Sequence, residues 1–119
     1  MDKKLIGAWG ETRAAEYLEA KGYAVVSMGY RSRFGEIDLI ATNREFVAFV
    51  EVKTRKDASF ARAREFVDWK KQERIRATAE LWLSEHETGL QPRFDVIEIY
   101  APDGVETRKP KLLHWENTF

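Results

Sequence analysis

Two short apolar runs near the middle of the chain carry ionisable residues at spacings that suit phosphate chemistry. The first run, Gly-Glu-Ile-Asp-Leu-Ile, contains Glu36 and Asp38, and the second, Phe-Val-Glu-Val-Lys, contains Glu51 and Lys53. Both runs have the apolar character of β-strands, which bury ionised groups only at a high cost in free energy. Carboxylates and a lysine gathered at one end of a sheet suit a divalent cation and a reaction on a phosphate ester.

The turn between the two runs decides whether these side chains meet. Side chains alternate along a strand, so Glu36 and Asp38 share one face, and Glu51 and Lys53 share one face. An even hairpin loop places both sets on the same side, whereas a three-residue loop separates them. A two-residue turn pairs Glu36 with Glu51, and a four-residue loop over 43–46 pairs Asp38 with Glu51. The chemistry therefore predicts an even loop.

Crowded carboxylates predict a cation site. They repel one another unless a proton or a cation lies between them. Oxygen ligands suit Mg²⁺ or Mn²⁺, and such an ion would lower the pKa of a bound water and neutralise charge on the phosphate. Lys53 would position the attacking water or stabilise the transition state. The plainer alternative is an ordinary ion pair between Glu51 and Lys53 at the end of a strand.

The elements around these runs predict an α/β fold. Apolar periodicity predicts helices over residues 5–20 and 68–85 and strands over 23–28, 36–41, 46–53, 93–100 and 111–115. The order is helix, three strands, helix, two strands (α-β-β-β-α-β-β), which predicts a mixed central sheet flanked by helices. Gly22 is placed to end the first helix, and Asp68 is placed to cap the second. Residues 54–65 have no clean period and are predicted as a loop.

Composition predicts one domain spanning residues 1–119. The length is common for a domain, and 44% hydrophobic residues can form a core. The absence of cysteine excludes disulfides and thiolate zinc sites and fits a cytoplasmic protein. The apolar patch near the N-terminus is broken by Gly7 and Glu11, so no signal peptide or membrane span is expected.

Net charge and local charge give opposite indications about nucleic-acid binding. The formal net charge is zero, which counts against a strongly basic nucleic-acid-binding protein. Residues 53–76, however, contain nine Lys or Arg and four Asp or Glu, an excess of five. Such a stretch is either a solvated surface or a basic region beside an acidic metal site.

Several side chains have two interpretations at this stage. Lys71 lies on the apolar stripe of the second helix, between Val67 and Ile75, and either extends its amine to solvent or points over the sheet towards the metal site or a phosphate. Glu36 is either a third acid at the metal or the partner of Arg31 or Arg33.

The remaining candidates divide by their chemistry. The candidate nucleic-acid contacts are Arg31, Arg33, Arg55, Lys56, Arg62, Arg64, Lys71, Gln72 and Arg74. Core or rim packing is favoured over base stacking for the tryptophans Trp69, Trp82 and Trp115. No ligand role is assigned to His86 or His114, and a structural role is expected for Asp95.

The order of these motifs resembles a known superfamily. Asp38, followed after a hairpin by Glu51-Val52-Lys53, is similar to the Asp … Glu-x-Lys motif of the PD-(D/E)XK nucleases. The chain more closely resembles the YraN-like family of uncharacterised bacterial proteins, which are similar to archaeal Holliday junction resolvases. The matching segments extend over about residues 7–100 and are Gly10-Glu11, Tyr30-Arg31, 34–40, 49–55, Lys71-Gln72 and 93–96.

The resemblance implies a restriction endonuclease-like core and an endonuclease that uses Mg²⁺ (or Mn²⁺) to cut DNA, branched or single-stranded. It implies that Asp38 and Glu51 are metal ligands, that the Val52 carbonyl faces the metal, that Lys53 is the catalytic lysine and that Glu11 reaches the site. A homodimer is one option, because related resolvases cut symmetric substrates as dimers. The alternative is a nuclease-fold module that binds nucleic acid or a DNA-processing partner without cutting.

One position departs from the family pattern. The family usually has Asn before Tyr30-Arg31, whereas this chain has Gly29. The departure argues against a role for an asparagine side chain at this position. It does not affect the predicted metal ligands.

Overall fold

A mixed β-sheet with a helix packed on each face forms the core of the protein. The computed structural model describes residues 3–56 and 67–119. Within these ranges the elements are α1 (Lys3–Ala20), β1 (Ala24–Ser32), β2 (Gly35–Thr42), β3 (Phe46–Arg55), α2 (Trp69–Glu85), β4 (Gln91–Tyr100), a 3-10 helix (Gly104–Glu106) and β5 (Lys111–Trp115). The predicted α/β class and element order are confirmed.

The strands lie side by side in chain order, from β1 to β5. Strands β3 and β4 are parallel, and the other neighbours are antiparallel. Helix α2 provides the connection between β3 and β4, which is the usual way to join parallel strands. In the described ranges, neither α1 nor α2 is long and apolar enough to cross a membrane.

Helix α1 packs on the sheet through small side chains. Its buried residues are Gly10, Ala14, Ala15 and Leu18. A Cβ atom built at Gly10 would lie 1.9 Å from Thr54 Oγ1 on β3, so glycine permits the close approach of helix and strand. The helix ends at Ala20. Gly22 follows with a φ of +100°, in the left-handed region, and the Tyr23 N–H donates to the Leu18 carbonyl. The predicted cap at Gly22 is confirmed.

Helix α2 covers the other face of the sheet. The Asp68 side chain accepts a hydrogen bond from the Lys71 N–H, so the predicted N-cap is confirmed. Ile75, Ala79 and Trp82 are buried in a cluster with Phe49 of β3. The Phe49 and Trp82 rings meet edge to face with centroids 5.8 Å apart, which confirms the core position predicted for Trp82.

The β2–β3 hairpin has the even loop that the site chemistry predicts. Thr42 pairs with Val47, and residues 43–46 connect them. The Asn43 N–H donates to the Phe46 carbonyl, and the Asn43 side chain accepts from the N–H groups of Glu45 and Phe46. This side chain organises the turn. The four-residue alternative is therefore correct.

Two predicted strand ends were wrong. Strand β1 continues to Ser32, because residues up to Ser32 pair with β2. Strand β3 continues through Thr54 and Arg55, because these residues pair with Ile99 and Tyr100 of β4. Hydrogen bonding to a neighbouring strand thus extends β1 and β3 through polar residues, where the sequence shows no apolar periodicity. The rest of the predicted loop, apart from Lys56, lies outside the described residues.

A buried polar network joins α1, β4 and β5. Arg93 donates two hydrogen bonds to Asp95, at 2.9 and 2.8 Å, and a third to the Tyr23 hydroxyl. His114 Nε2 lies 2.7 Å from Asp95 Oδ2, and His114 Nδ1 lies 3.0 Å from the Tyr17 hydroxyl. Asp95 has no exposed surface. These contacts give Asp95 the structural role expected of it and place His114 in the same network.

The partners of Asp95 determine its ionisation. Burial alone would raise the pKa of this carboxyl group, but hydrogen bonds from His114, Arg93 and the Asn117 N–H outweigh burial and lower it. Asp95 is thereby held in its charged form and paired with Arg93, as a charge at this depth requires.

Replacing Asp95 by Asn leaves Arg93 buried without its charged partner. We expect the free energy of unfolding at neutral pH to fall by roughly 3–5 kcal/mol. Because the folded-state pKa of Asp95 is lowered, its stabilisation is present above the unfolded pKa and is lost as pH falls through the folded pKa. Denaturant unfolding at several pH values should show the two proteins converging in acid.

Glu116 offers the matched control. It lies 3.7 Å from the same Arg93, but its side chain is 46% exposed. Glu116→Gln should change stability by less than about 1 kcal/mol. Equal losses from Asp95→Asn and Glu116→Gln would contradict the importance given to the buried pair.

The contact between Gly10 and Thr54 predicts that the effect of Gly10→Ala on stability depends on the side chain at residue 54. Gly10→Ala adds about 1 kcal/mol of helix propensity but costs roughly 1–3 kcal/mol through overpacking against Thr54. We expect a net loss of stability in the wild-type background. In a Thr54→Ala background, where the Oγ1 atom is absent, the same change should be neutral or stabilising. Chemical denaturation of the four proteins measures both values.

Candidate functional site

The candidate site forms where the ladder between β2 and β3 stops. The last pair in this direction is Leu39 with Val50. Beyond it, Asp38 Oδ2 accepts a hydrogen bond of 2.8 Å from the Val52 N–H, so the carboxylate replaces the missing backbone partner. The N–H and carbonyl groups of one strand residue point to the same side. The Val52 carbonyl therefore faces the same gap as Asp38.

Strict alternation of side chains breaks down along β2 at this point. Ile37 and Ile40, three residues apart, both pack in the cluster on the α2 side, whereas Leu39 packs in the cluster on the α1 side. The prediction that simple alternation carries Glu36 and Asp38 to one face was therefore too simple. Asp38 turns towards β3, and this turn brings it to the Val52 N–H.

The predicted acids nevertheless line one pocket of about 400 Å³. Its lining residues are Gly35, Glu36, Asp38, Glu51, Lys71, Arg74 and Ile75. Strands β2 and β3 supply the acids, and α2 supplies the cations. The even loop and the packing of α2 together produce this arrangement.

Glu51 is the most buried acid of the pocket. Its side chain is 7% exposed, and Oε1 lies 3.2 Å from Lys71 Nζ. Burial and the neighbouring Asp38 raise its pKa to about 7, although Lys71 acts in the opposite direction. Asp38 is thus close enough for its charge to disfavour the ionised form of Glu51.

The two lysines of the site have opposite shifts. Burial and the adjacent Lys71 amine lower the pKa of Lys53. Burial would also lower the pKa of Lys71, but Glu51, Lys53 and Asp38 raise it. Lys71 therefore keeps its charge, and Lys53 loses its proton more readily than an ordinary lysine. Of the two interpretations of Lys71, the one that points it over the sheet into the site is correct.

Glu11 acts on the site from helix α1. Burial, together with the charges of Asp38 and Glu36, raises its pKa to about 7. Its neighbour Gly10 allows the helix to approach β3 closely. Helix α1 thus holds Glu11 close enough to Asp38 and Glu36 to feel their charges, and its role at the site stays a prediction.

Glu36 lies beside the other acids of the pocket and also beside Arg31. It lines the pocket with Asp38 and Glu51, and its Oε2 lies 3.5 Å from Arg31 Nε. The adjacent Gly29 has a φ of +72°, in the region that glycine and asparagine adopt most readily. Gly29, where the resemblance implies asparagine, thus adopts a conformation open to either residue.

The other predicted nucleic-acid contacts have varied surroundings. The Arg33 guanidinium lies 4.9 Å from the centroid of the Phe34 ring, and Arg74 lines the pocket. The Gln72 amide donates to the Val67 carbonyl at 2.8 Å, so its nitrogen is committed to the start of α2. Arg55 is partly buried in β3, contrary to its predicted loop position, and Lys56 is exposed. Arg62 and Arg64 lie outside the described residues.

Sequence reasoning missed Glu98. It is fully buried on β4, in register with Lys53 of β3. Its carboxylate accepts hydrogen bonds from the Tyr100 hydroxyl and from Trp115 Nε1. An acid inside the apolar run Val-Ile-Glu-Ile-Tyr was the available signal. The same contact gives Trp115 a structural place beside the sheet.

The donor set fits a hard divalent cation with few protein ligands. Within residues 3–56 and 67–119, no cluster of three or more His, Cys, Asp or Glu side chains is arranged to hold a metal ion. Asp38, Glu51 and the Val52 carbonyl supply three oxygen donors, and Mg²⁺ commonly takes one or two carboxylates with water and phosphate. The charge of Asp38 raises the pKa of Glu51, and a cation between the two groups would relieve this repulsion. The ligand role of Glu36 stays a prediction.

Comparison with known proteins assigns the family. The profile of the uncharacterised protein family UPF0102 matches residues 10–99. The chain belongs to the UPF0102 (YraN-like) family. A UPF0102 protein of Alkaliphilus oremlandii is 43% identical over the full length of both chains. A UPF0102 protein of Nocardia farcinica is 40% identical over 99% of this chain and 91% of its own. All of the pocket residues lie inside the matched UPF0102 region.

The ion pair between Glu51 and Lys71 predicts the effect of removing the lysine charge. In Lys71→Met, we expect the pKa of Glu51 to rise above its value of about 7, because Lys71 lowers it in the wild type. Carboxyl-carbon NMR titration of labelled protein measures the change. Lys70→Met is the control, since it removes a charge from the same turn without a contact to Glu51. Equal shifts in both variants would exclude a specific pair.

Proposed function

We propose that this protein is a divalent-metal-dependent endonuclease that hydrolyses phosphodiester bonds in DNA. The observation that carries the proposal is the convergence of Asp38, Glu51 and Lys53 at the end of the β2–β3 ladder. Buried acids and a lysine with a shifted pKa are typical of catalytic sites rather than of ordinary strand ends. The family itself is uncharacterised, so membership does not supply the activity.

Each residue has a role in this proposal. Asp38, Glu51 and the Val52 carbonyl would hold Mg²⁺ or Mn²⁺, which when bound supplies positive charge and a water of lowered pKa beside the phosphate. Lys71 keeps Glu51 in position through their contact of 3.2 Å. Lys53 orients the attacking water or donates to the phosphate oxygen in the transition state.

Glu11 adds a group for proton transfer. Its pKa of about 7 means that both protonation states are populated near neutral pH. A carboxyl group of this kind is suited to general acid–base catalysis within hydrogen-bonding reach of a water or leaving oxygen. Arg74 on the rim of the pocket supplies charge for a neighbouring phosphate.

The test is a cleavage assay on a panel of labelled substrates with Mn²⁺ or Mg²⁺. The panel contains single-stranded DNA, duplex, flap and four-way junction, with RNA of matching sequence. We expect metal-dependent cleavage by the wild type, reduced by about 100-fold or more in Asp38→Ala, Glu51→Ala and Lys53→Ala. Glu45→Ala and Lys111→Ala, which change exposed charges away from the site, should retain full activity.

Two outcomes would contradict the proposal. Equal cleavage by all three site variants would indicate a contaminating nuclease. Calorimetry that detects no binding of Mg²⁺ or Mn²⁺ at millimolar concentration would exclude the metal-dependent mechanism. Circular dichroism of each variant separates a loss of activity from a loss of fold.

The Glu51–Lys71 ion pair favours a second candidate function. Lys71 occupies a carboxylate oxygen that a metal would need, and a lysine can take the place of a cation beside two acids. The protein would then bind nucleic acid or a DNA-processing partner without cutting. Binding of DNA that is unaffected by metal, with no cleavage of any substrate, would favour this function.

A further inference from the structure

Two aromatic side chains lie exposed beside the acidic pocket. Phe34, in the β1–β2 turn, is 40% exposed, and Trp69, the first residue of α2, is 63% exposed. Both line a surface pocket of about 290 Å³ together with Lys70, Glu73, Arg74 and Ala77. Arg74 also lines the acidic pocket, so the two pockets share a wall. The sequence favoured a rim or core position for Trp69, and the structure places it at the surface.

Hydrogen bonds hold the two chain segments that carry Phe34 and Trp69. The Phe34 N–H donates to Ser32 Oγ at 3.0 Å, and Ser32 Oγ lies 2.9 Å from Thr78 Oγ1 on α2. These bonds tie the hairpin turn to the helix that carries Trp69. At the start of that helix, the Asp68 cap sets the position of Trp69. The backbone positions of Phe34 and Trp69 are therefore set relative to each other, so the two rings lie on one surface.

Positive charge outweighs negative charge in this pocket, where Lys70 and Arg74 lie with Glu73. Lys70 and Arg74 are four residues apart and lie on one face of α2, and Lys71 points from the next face into the acidic pocket. The Arg33 guanidinium packs over Phe34. A basic path thus leads from the aromatic rings to the candidate site. Charge of this sign beside exposed rings is the pattern of a surface for single-stranded nucleic acid.

We propose that Phe34 and Trp69 form a stacking platform for an unpaired base, so that the substrate of the nuclease function proposed above contains single-stranded nucleic acid. Base pairs in a continuous duplex keep their faces stacked on one another, so only an unpaired or terminal base presents a face to these rings. Arg74 and Lys70 contact the phosphates on either side of that base. The backbone then passes Arg74 and enters the acidic pocket.

The test measures binding separately from cutting. Fluorescence anisotropy of a labelled 12-nucleotide single strand in EDTA is measured with unlabelled single strand or relaxed circular duplex as competitor, since the circle has no unpaired or terminal base. We expect the wild type to bind the single strand more tightly, and Trp69→Leu to weaken that binding by roughly 5- to 100-fold. Trp69→Phe, which keeps a ring, should remain within a few-fold of the wild type. Phe34→Leu should weaken binding in the same way as Trp69→Leu.

The leucine variants separate stacking from simple apolar contact. Leucine keeps apolar surface but has no ring, so binding by Trp69→Leu equal to that of the wild type would overturn the platform. Equal affinity for single strand and duplex would overturn it as well. Met28→Ala removes an exposed apolar side chain from a different surface groove and should leave binding unchanged.

The platform and the nuclease function can fail independently. Metal-dependent cleavage with unchanged binding by Trp69→Leu would overturn the platform alone. Single-strand binding that depends on Trp69, without cleavage of any substrate, would support the platform and overturn the nuclease function. Quenching of tryptophan fluorescence by the oligonucleotide in the wild type, and its reduction in Trp69→Phe, would show directly that Trp69 meets the bases.

Discussion

The site depends on one backbone donor, the Val52 N–H group, which lies where the β2–β3 ladder has stopped and donates to a side chain. Strand β3 continues well beyond the point where β2 stops pairing with it, and an inner strand cannot leave a donor without a partner at low cost. Asp38 meets this requirement with its carboxylate, and that contact turns its side chain away from the regular alternation of β2. The same turn brings Asp38 against Glu51. Thus a hydrogen bond that completes the sheet also creates the crowding of carboxylates from which the site chemistry follows.

Burial and the neighbouring charges together set the pKa of Glu51. Glu51 has little exposed surface, and desolvation together with Asp38 favours its protonated form. Lys71 opposes this effect from α2, and its own positive charge favours the neutral form of Lys53. Glu11 responds in the same sense as Glu51 from the opposite helix. The pKa values of these four groups, which lie on β3, α2 and α1, all respond to the charge of Asp38. A cation or a phosphate that binds beside Asp38 must therefore affect all four.

A second buried polar network holds the scaffold at a distance from this site. Asp95, Arg93 and His114 join β4 to β5 and, through Tyr17, to α1. Unlike Glu51, Asp95 has enough hydrogen-bond donors to keep its pKa low despite its burial. The neighbours of Asp95 are donors, whereas Glu51 has another carboxylate beside it. A buried acid next to an acid is the arrangement of a candidate site, and a buried acid among donors is that of a structural network.

The sequence by itself determined the element order, the even loop and the identity of the acids, because these depend on local periodicity, turn chemistry and residue type. Gly22, Asp68 and the Asn43 turn all act within a few residues of themselves. Only the tertiary structure decided where β1 and β3 end, since lateral pairing with β2 and β4 extends them through polar residues. It also decided the direction of Lys71, the burial of Glu98 and the exposure of Trp69. Those properties depend on which elements pack against a side chain, and contacts between residues distant along the chain leave no local pattern to read.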